Sequence, residues 1–304
     1  MYKIIILFLY SIFIIANEPI TPLRESVKVN QAKAKLGQAL FFDPLLSHDG
    51  TISCASCHDL QNGGDDGLKV SFGIQGQQGS LNAPTVYNAV FNFRQFWDGR
   101  AKDLKEQAAG PIENPVEMGA TFEEVIQKLK KSKYKKLFAS IYDDGITKET
   151  ITDAIAEYEK TLVTPNSRFD KYLKGDKNAL TENEKEGYEL FKSKGCVSCH
   201  HGENIGGNFY NKFGIFNESN SGWLGRYNVT HKERDKYFFK VPSLRNIART
   251  APYFHDGRTN DLQEAVEIMS QYQLGRHITK EEIAKITAFL QSLNGELPKN
   301  IEPQ

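Results

Sequence analysis

The sequence predicts a mainly α-helical protein that consists of two copies of one domain, each with long loops. Helix-start signals recur along the chain, as at residues 181–184, where a threonine and a glutamate three residues later form a capping box. Residues 83–108 align without a gap with residues 241–266. Two glycine-rich stretches, 61–80 and 202–225, show no hydrophobic period and predict loops.

The composition supports folded domains and gives no sign of disorder. The chain has 304 residues, of which 39% are hydrophobic and 11% aromatic, enough apolar material for real cores. At roughly 150 residues per domain, this length predicts about two domains. Lys plus Arg and Asp plus Glu each number 38, so the net charge is zero. This balance argues against a nucleic-acid-binding protein, which usually carries a basic excess.

The beginning of the chain has the features of an export signal. Lys3 precedes an apolar run at residues 4–16, which is shorter than the ~20 residues of a membrane span. A charged start followed by a short apolar stretch is typical of a secretory signal peptide. We therefore predict a signal peptide at residues 1–16 and an exported protein. An uncleaved N-terminal anchor is the alternative.

Capping boxes, apolar spacing and terminating residues predict five helices. The predicted segments are 29–42, 121–142, 148–162, 181–195 and 279–295. The first stops at Pro44, and the fourth ends directly before Cys196. Strand signals are weak throughout, which makes the predicted fold mainly α.

All four cysteines lie in two copies of one motif. The copies are Cys54-Ala55-Ser56-Cys57-His58 and Cys196-Val197-Ser198-Cys199-His200. Cys-x-x-Cys-His is the attachment motif of a c-type haem, in which both thiols form thioethers and the adjacent histidine binds the iron on its proximal side. The predicted thioether anchors are Cys54, Cys57, Cys196 and Cys199, and the predicted proximal ligands are His58 and His200. Two disulfides or a structural zinc are the alternatives.

The two halves of the chain match beyond these motifs. Residues 83–108 and 241–266 are offset by 158 positions and share nine identical residues. One repeat of this kind indicates a duplicated domain rather than a solenoid. Trp97 stands opposite His255 in the alignment. Both residues either pack beside the haems or couple the haems where the domains meet. The polar stretch at 163–179 is the predicted linker.

Together these features resemble the bacterial di-haem cytochrome c peroxidases over essentially all of residues 30–300. The matching segments are LGQALFFD at 36–43, NAPT at 82–85, QFWDGR at 95–100, NPVEM at 114–118 and TAPYFHDGR at 250–258. The resemblance implies two cytochrome c-like α-helical domains, with long loops around each haem, in a periplasmic homodimer. It also implies reduction of hydrogen peroxide to water with electrons from a small cytochrome c or a similar soluble donor.

By this resemblance, residues 17–165 form an N-terminal peroxidatic haem domain and residues 166–304 a C-terminal electron-transfer haem domain. Met269 matches the family's distal iron ligand in the second domain. Methionine ligation raises the reduction potential of a haem and closes its iron to peroxide, which suits a site that receives electrons. His277 is the alternative distal ligand.

The resemblance assigns the peroxide site to the first haem, where a distal acid–base group must move a proton. Glu117 matches the family's catalytic glutamate, Gln107 its distal glutamine, and Trp97 the tryptophan between the haems. Many relatives carry a second, displaceable histidine sixteen residues after the proximal one, whereas this chain has Ile74 there. We therefore expect the first haem to be permanently open or bound only by water. His48 is a poor candidate for a replacement ligand.

Members of the family also hold a calcium ion between the domains. The matching positions in this chain are Asn82, Thr250 and Pro252. Amide and backbone carbonyl oxygens are suitable calcium ligands. The resemblance therefore implies Ca²⁺ as a further cofactor.

Three other functions stay open at the level of the sequence. A di-haem electron carrier without peroxidase activity would have two closed haems. A di-haem enzyme that oxidises protein side chains would place a tyrosine at the distal position of the second haem, and Tyr272 lies close to Met269 in the chain. A haem-based sensor would carry an appended output domain, for which the sequence gives no signal.

Overall fold

The computed structural model of the chain describes residues 18–217 and 222–303, so the predicted signal peptide lies outside the described residues. The described part is mainly helical, as the sequence predicts. Its helices are α1 Gln31–Phe42, α2 Leu104–Glu113, α3 Phe122–Lys130, α4 Tyr134–Ala139, α5 Lys148–Glu159, α6 Arg168–Leu173, α7 Glu182–Ser193, α8 Tyr227–Thr230, α9 Leu262–Leu274 and α10 Lys280–Gln291. None of these helices is long and apolar enough to cross a membrane.

The two described strands form one small antiparallel sheet in the C-terminal half. Strand β1 covers Tyr210–Lys212 and strand β2 covers Phe238–Lys240, and Tyr210 pairs with Lys240. Long loops make up most of the other described residues, in agreement with the predicted loop at 61–80. The predicted loop at 202–225 contains strand β1 and includes residues 218–221, which lie outside the described residues.

Four of the five predicted helices form close to their expected bounds, but the prediction at 121–142 is wrong because the structure divides this segment into α3 and α4. Ser132 causes the break. Its hydroxyl donates to the carbonyl of Leu129 at 2.8 Å and accepts from the N–H of Tyr134 at 3.2 Å, which replaces helical hydrogen bonds locally. The sequence also fails to predict α2, which contains Pro111.

Each half is built on one pair of crossed helices that touch at a glycine. Gly37 on α1 lies so close to α5 that an added Cβ would be 1.8 Å from the carbonyl oxygen of Ala154. Gly187 on α7 lies similarly close to α10, because a Cβ added to Gly187 would be 2.0 Å from the carbonyl oxygen of Lys285. Only glycine permits backbones to approach this closely. The duplication therefore extends to the packing of the helices.

The terminal segments of the chain cross between the halves. Ile20 packs into the apolar core around α6, α7 and α10, and the backbone N–H of Leu23 donates to Asp170 at 2.9 Å. At the other end, Ile301 packs on a cluster of the N-terminal half, and Gln38 donates to the carbonyl of Glu302 at 2.8 Å. Each arm thus fastens one half to the other. The domain bounds 17–165 and 166–304 stay a prediction.

Candidate functional site

The first Cys-x-x-Cys-His motif forms a tight turn that presents its histidine to the interior. Residues Cys54–Ser56 are a 3₁₀ turn, and the N–H of His58 donates to the carbonyl of Cys54 at 3.0 Å. His58 Nδ1 lies 3.0 Å from the carbonyl oxygen of Gly64, a contact that fixes the ring and leaves Nε2 for a metal. Burial lowers the pKa of His58, which favours the neutral form that ligates iron.

The second motif repeats this turn beside a cavity. His200 follows the turn Cys196–Ser198, is buried, and has a buried Nδ1 without a hydrogen-bond partner. Burial lowers the pKa of His200 to about 4. No disulfide joins any two of the four cysteines, so the disulfide alternative is not supported. Within the described ranges, no three His, Cys, Asp or Glu side chains form a metal-binding cluster, which leaves the zinc alternative without a ligand set there.

The cavity next to His200 has room for a large group. Its volume is about 240 Å³, whereas one water needs ~10–15 Å³ on the same measure. The walls bring together Cys196, Cys199, His200 and Met269. A haem attached to the two thiols, between the histidine and the methionine, fits this set of residues. By contrast, His277 is exposed.

Tyr272, the alternative distal ligand, packs elsewhere in the structure. The ring of Tyr272 stacks on the ring of Phe213 at a centroid distance of 6.0 Å and an interplanar angle of 16°. Tyr272 is not among the residues that line the cavity, whereas Met269, one turn earlier on α9, is. This arrangement favours methionine over tyrosine as the distal ligand.

Glu117 lies on a compact turn that follows α2. Asn114 Nδ2 donates to Glu117 Oε1 at 2.6 Å, and the N–H of Glu117 donates to the carbonyl of Asn114 at 3.0 Å. Burial raises the pKa of Glu117, although the hydrogen bond from Asn114 and the charge of Arg100 act in the opposite direction. Gln107 lies on α2, which leads into this turn. The structure therefore holds Glu117 in one orientation with an elevated proton affinity.

The loop that contains Ile74 is docked on this turn. The N–H of Ile74 donates to the carbonyl of Glu117 at 2.8 Å, and the Ile74 side chain is buried. Gly73 permits the approach, because an added Cβ would lie 2.1 Å from the carbonyl oxygen of Val116. His48 is exposed, and its Nδ1 lies 2.9 Å from a carboxylate oxygen of Glu124. His48 is thus a surface residue, as expected.

One of the contacts between the two halves is formed by Asn82, Trp97, Lys240 and His255, which we call the seam. The N–H of Asn82 donates to the carbonyl of His255 at 2.9 Å, and the N–H of Lys240 donates to the carbonyl of Trp97 at 2.8 Å. With the offset of 158 positions, Asn82 corresponds to Lys240 and Trp97 to His255. The two hydrogen bonds are therefore equivalent contacts, related by a pseudo-twofold axis.

Trp97 is the side chain that spans the seam. Its Nε1 donates to the carbonyl of Asn82 at 2.9 Å. Its ring meets the ring of His255 edge to face, with 6.1 Å between centroids. Trp97 also lines the cavity that contains His200. Trp97 thus contacts the C-terminal half beside the cavity of the second haem-attachment motif.

The three positions matched to calcium ligands come together on the wall of the same cavity. Asn82, Thr250 and Pro252 all line it. Asn82 Nδ2 donates to the carbonyl of Leu68 at 2.8 Å, which leaves the amide oxygen to serve as a ligand. Residues from both halves would hold the ion, as oxygen donors suited to Ca²⁺.

Sequence reasoning missed several buried polar residues near these sites. Lys240 precedes the repeat by one position, and Glu159 ends α5, where nothing in the sequence distinguishes it. Asn88 and Asn246 belong to the nine identical pairs, and both side-chain amides donate to Thr164 Oγ1 at 2.8 Å. The internal repeat is the sequence signal that could have identified these two asparagines.

Comparisons with known proteins agree with this geometry. The di-haem cytochrome c peroxidase family matches residues 31–178, and the cytochrome c family matches residues 184–294. The cytochrome c551 peroxidase of Nitrosomonas europaea is 53% identical over 93% of this chain and 86% of that protein. The cytochrome c peroxidase Ccp of Escherichia coli is 50% identical over 92% of this chain and 62% of that protein.

Among solved structures, a MauG-like protein associated with microbial copper homeostasis superposes with a TM-score of 0.80 and 28% identity, covering 94% of this chain and 96% of that one. The fold and its two motifs define a di-haem c-type cytochrome. Within that class, the chain belongs to the di-haem cytochrome c peroxidase family. The predicted fold class and the predicted pair of c-type haems are thereby confirmed.

Proposed function

We propose that the chain reduces hydrogen peroxide to water at the haem of the N-terminal half, with electrons that enter through the haem of the C-terminal half. The reaction consumes one H₂O₂, two protons and two electrons and yields two waters. The enzyme is a cytochrome-c peroxidase, EC 1.11.1.5, and takes its electrons from a cytochrome donor. The half-buried, oriented carboxyl of Glu117 is the observation that carries the proposal, because an electron carrier has no use for such a group.

A bound haem supplies the iron that receives peroxide and passes electrons to it. The protein's part on the distal side is to move a proton between the two peroxide oxygens. Glu117 takes this role, since burial raises its proton affinity and Asn114 fixes its orientation. Gln107 acts as a hydrogen-bonding partner for the substrate. His58, oriented by Gly64, would be the protein's ligand to the iron of this haem.

The C-terminal half supplies the electron-receiving site. His200 and Met269 would ligate the iron of a bound haem, and Cys196 and Cys199 would attach it covalently. Ligation by histidine and methionine would close the iron to peroxide and raise its potential. Trp97 contacts His255 across the seam and would provide the path along which electrons cross it.

A steady-state assay of H₂O₂ reduction by reduced cytochrome c tests the proposal. Wild type should turn over, and Glu117→Gln should lower kcat by about 10²–10⁴-fold. Glu113→Gln is the matched control, because Glu113 is an exposed residue at the end of α2 that pairs with Lys148. Wild type without turnover would favour the carrier function. A Glu117→Gln enzyme as fast as wild type would remove the proton-transfer role.

The remaining features of the function are proposals of the same kind. Ca²⁺ binds at Asn82, Thr250 and Pro252 and fixes the geometry of the two haems. The enzyme is a periplasmic homodimer, exported by the signal at residues 1–16. Chelation that changes neither activity nor oligomeric state would contradict the calcium role.

A further inference from the structure

Lys240 places a buried positive charge at the edge of the C-terminal haem cavity. Lys240 is only 6% exposed and lines the cavity. Among the described residues no acid forms an ion pair with it. Burial alone lowers the pKa of Lys240 to about 8, so the side chain is largely an ammonium ion at neutral pH.

Such a charge needs an anion that the polypeptide does not provide. Burying an unpaired ammonium ion costs several kcal/mol, and the neighbours of Lys240 on the chain, Phe239 and Val241, are buried apolar residues. The cavity beside it fits a haem, whose two propionate side chains are carboxylates. A propionate in this cavity would give Lys240 the partner that the protein lacks.

The pseudo-twofold symmetry of the seam supports the same conclusion. Asn82 is the counterpart of Lys240, and both donate equivalent backbone hydrogen bonds across the seam. The backbone role is therefore satisfied by an uncharged residue in the first copy. The charge of Lys240 therefore distinguishes the second haem site from the first, and the second site is the one whose haem would need a high potential.

We propose that the Lys240 ammonium pairs with a propionate of the haem in the C-terminal half and, as a fixed positive charge, raises the reduction potential of that haem. The inference rests on the proposed function, in which this cavity holds the electron-receiving haem. A positive charge nearby favours the ferrous over the ferric state, because the ferric haem carries one more positive charge. Lys240 is thus a positioning and tuning residue.

Spectroelectrochemical titration of the complete di-haem enzyme tests this proposal. Lys240→Met should shift the ferric/ferrous equilibrium of the C-terminal haem about tenfold towards ferric, which is a fall of about 59 mV for one electron. The N-terminal haem should shift less and serves as an internal reference. Lys240→Arg keeps the charge and should keep the potential near that of wild type. Lys212→Met is the matched control, since Lys212 lines the same cavity but is exposed.

Three results would overturn the proposal. The first is an unchanged potential in Lys240→Met with both haems attached. The second is a wild-type potential that varies with phosphate concentration at constant ionic strength, since that would show that a free anion, and not a propionate, pairs with Lys240. The third concerns folding: if Lys240→Met fails to retain its haem, Lys240→Gln and Lys240→Arg are compared, and equal loss in both would show that shape rather than charge matters. Absence of wild-type peroxidase turnover would instead defeat the proposed function.

Discussion

The two halves share a backbone and differ in the side chains placed on it. Phe96 and its counterpart Phe254 both have positive φ, at 67° and 71°. Bridges between Gln95 and Ala101 and between Tyr253 and Thr259 occupy equivalent positions. Counterparts with different chemistry stand at the seam, where Asn82 corresponds to Lys240 and Trp97 to His255. Another such pair lies near the ends of the crossed helices α5 and α10. Ala154 and Lys285 are equivalent, since each meets the glycine of the partner helix. Five residues further along, Glu159 therefore corresponds to Leu290. The comparison teaches that duplication supplied one framework for two haems, and that a few positions give them different chemistry.

The largest expected difference is in the coordination of the two irons. The oxidised enzyme as isolated should show one high-spin haem, with an open distal position, and one low-spin haem with histidine and methionine ligands. The reason is that Ile74 stands at the position matched to a histidine in the first half, whereas Met269 and His200 line the same cavity in the second. Electron paramagnetic resonance and optical spectra measure this.

A matched variant sharpens the test of coordination. Ile74→His restores the histidine found in many relatives and should convert part of the high-spin signal into a low-spin one. A bis-nitrogen low-spin signal for the N-terminal haem of wild type would contradict the open site.

The second comparison concerns the helix crossings and affects stability. Gly37→Ala and Gly187→Ala should each destabilise the folded enzyme by about 3 kcal/mol, the upper end for overpacking, because the new methyl meets a backbone carbonyl that cannot rotate away. For a chain of this size, we expect a fall in Tm of roughly 6–12 °C, measured by calorimetry.

Exposed residues on the same helices provide controls for the glycine variants. Lys35→Ala on α1 and Glu189→Ala on α7 should leave Tm nearly unchanged. A large effect in one half alone would show that the two crossings are not equivalent.

Features that depend on residues close together along the chain could be predicted from the sequence, whereas long-range contacts and buried charges could not. The motif around His200 and the repeat at 241–266 predict local geometry, since their residues lie close together along the chain. The crossing of the terminal arms depends on contacts between residues far apart, such as Leu23 and Asp170, and no local pattern encodes it. Glu159 and Lys240 are charged residues that propensity places on the surface. Only the packing of α5 and β2 shows that they are buried.

Glu159 provides the most specific test of the comparison. Its carboxyl is buried, Oε2 has no hydrogen-bond partner, and burial raises its pKa from 4.5 to about 8. Between these two values the unfolded chain releases a proton that the folded chain keeps. The free energy of unfolding therefore falls as pH rises from about 4.5 to about 8.

Glu159→Gln removes the titrating group and should remove this pH dependence. The variant should gain about 1 kcal/mol relative to wild type at pH 5 and about 4 kcal/mol at pH 8, at about 1.4 kcal/mol for each unit by which the pKa is raised. Parallel thermal or denaturant unfolding at the two pH values measures the difference. Glu149→Gln, an exposed substitution on the same helix, should show no change with pH. A gain for Glu159→Gln that is equal at both pH values would mean that the carboxyl is ionised in the folded protein. In that case Glu159 would differ from its counterpart Leu290 in polarity, but it would bind no proton on folding.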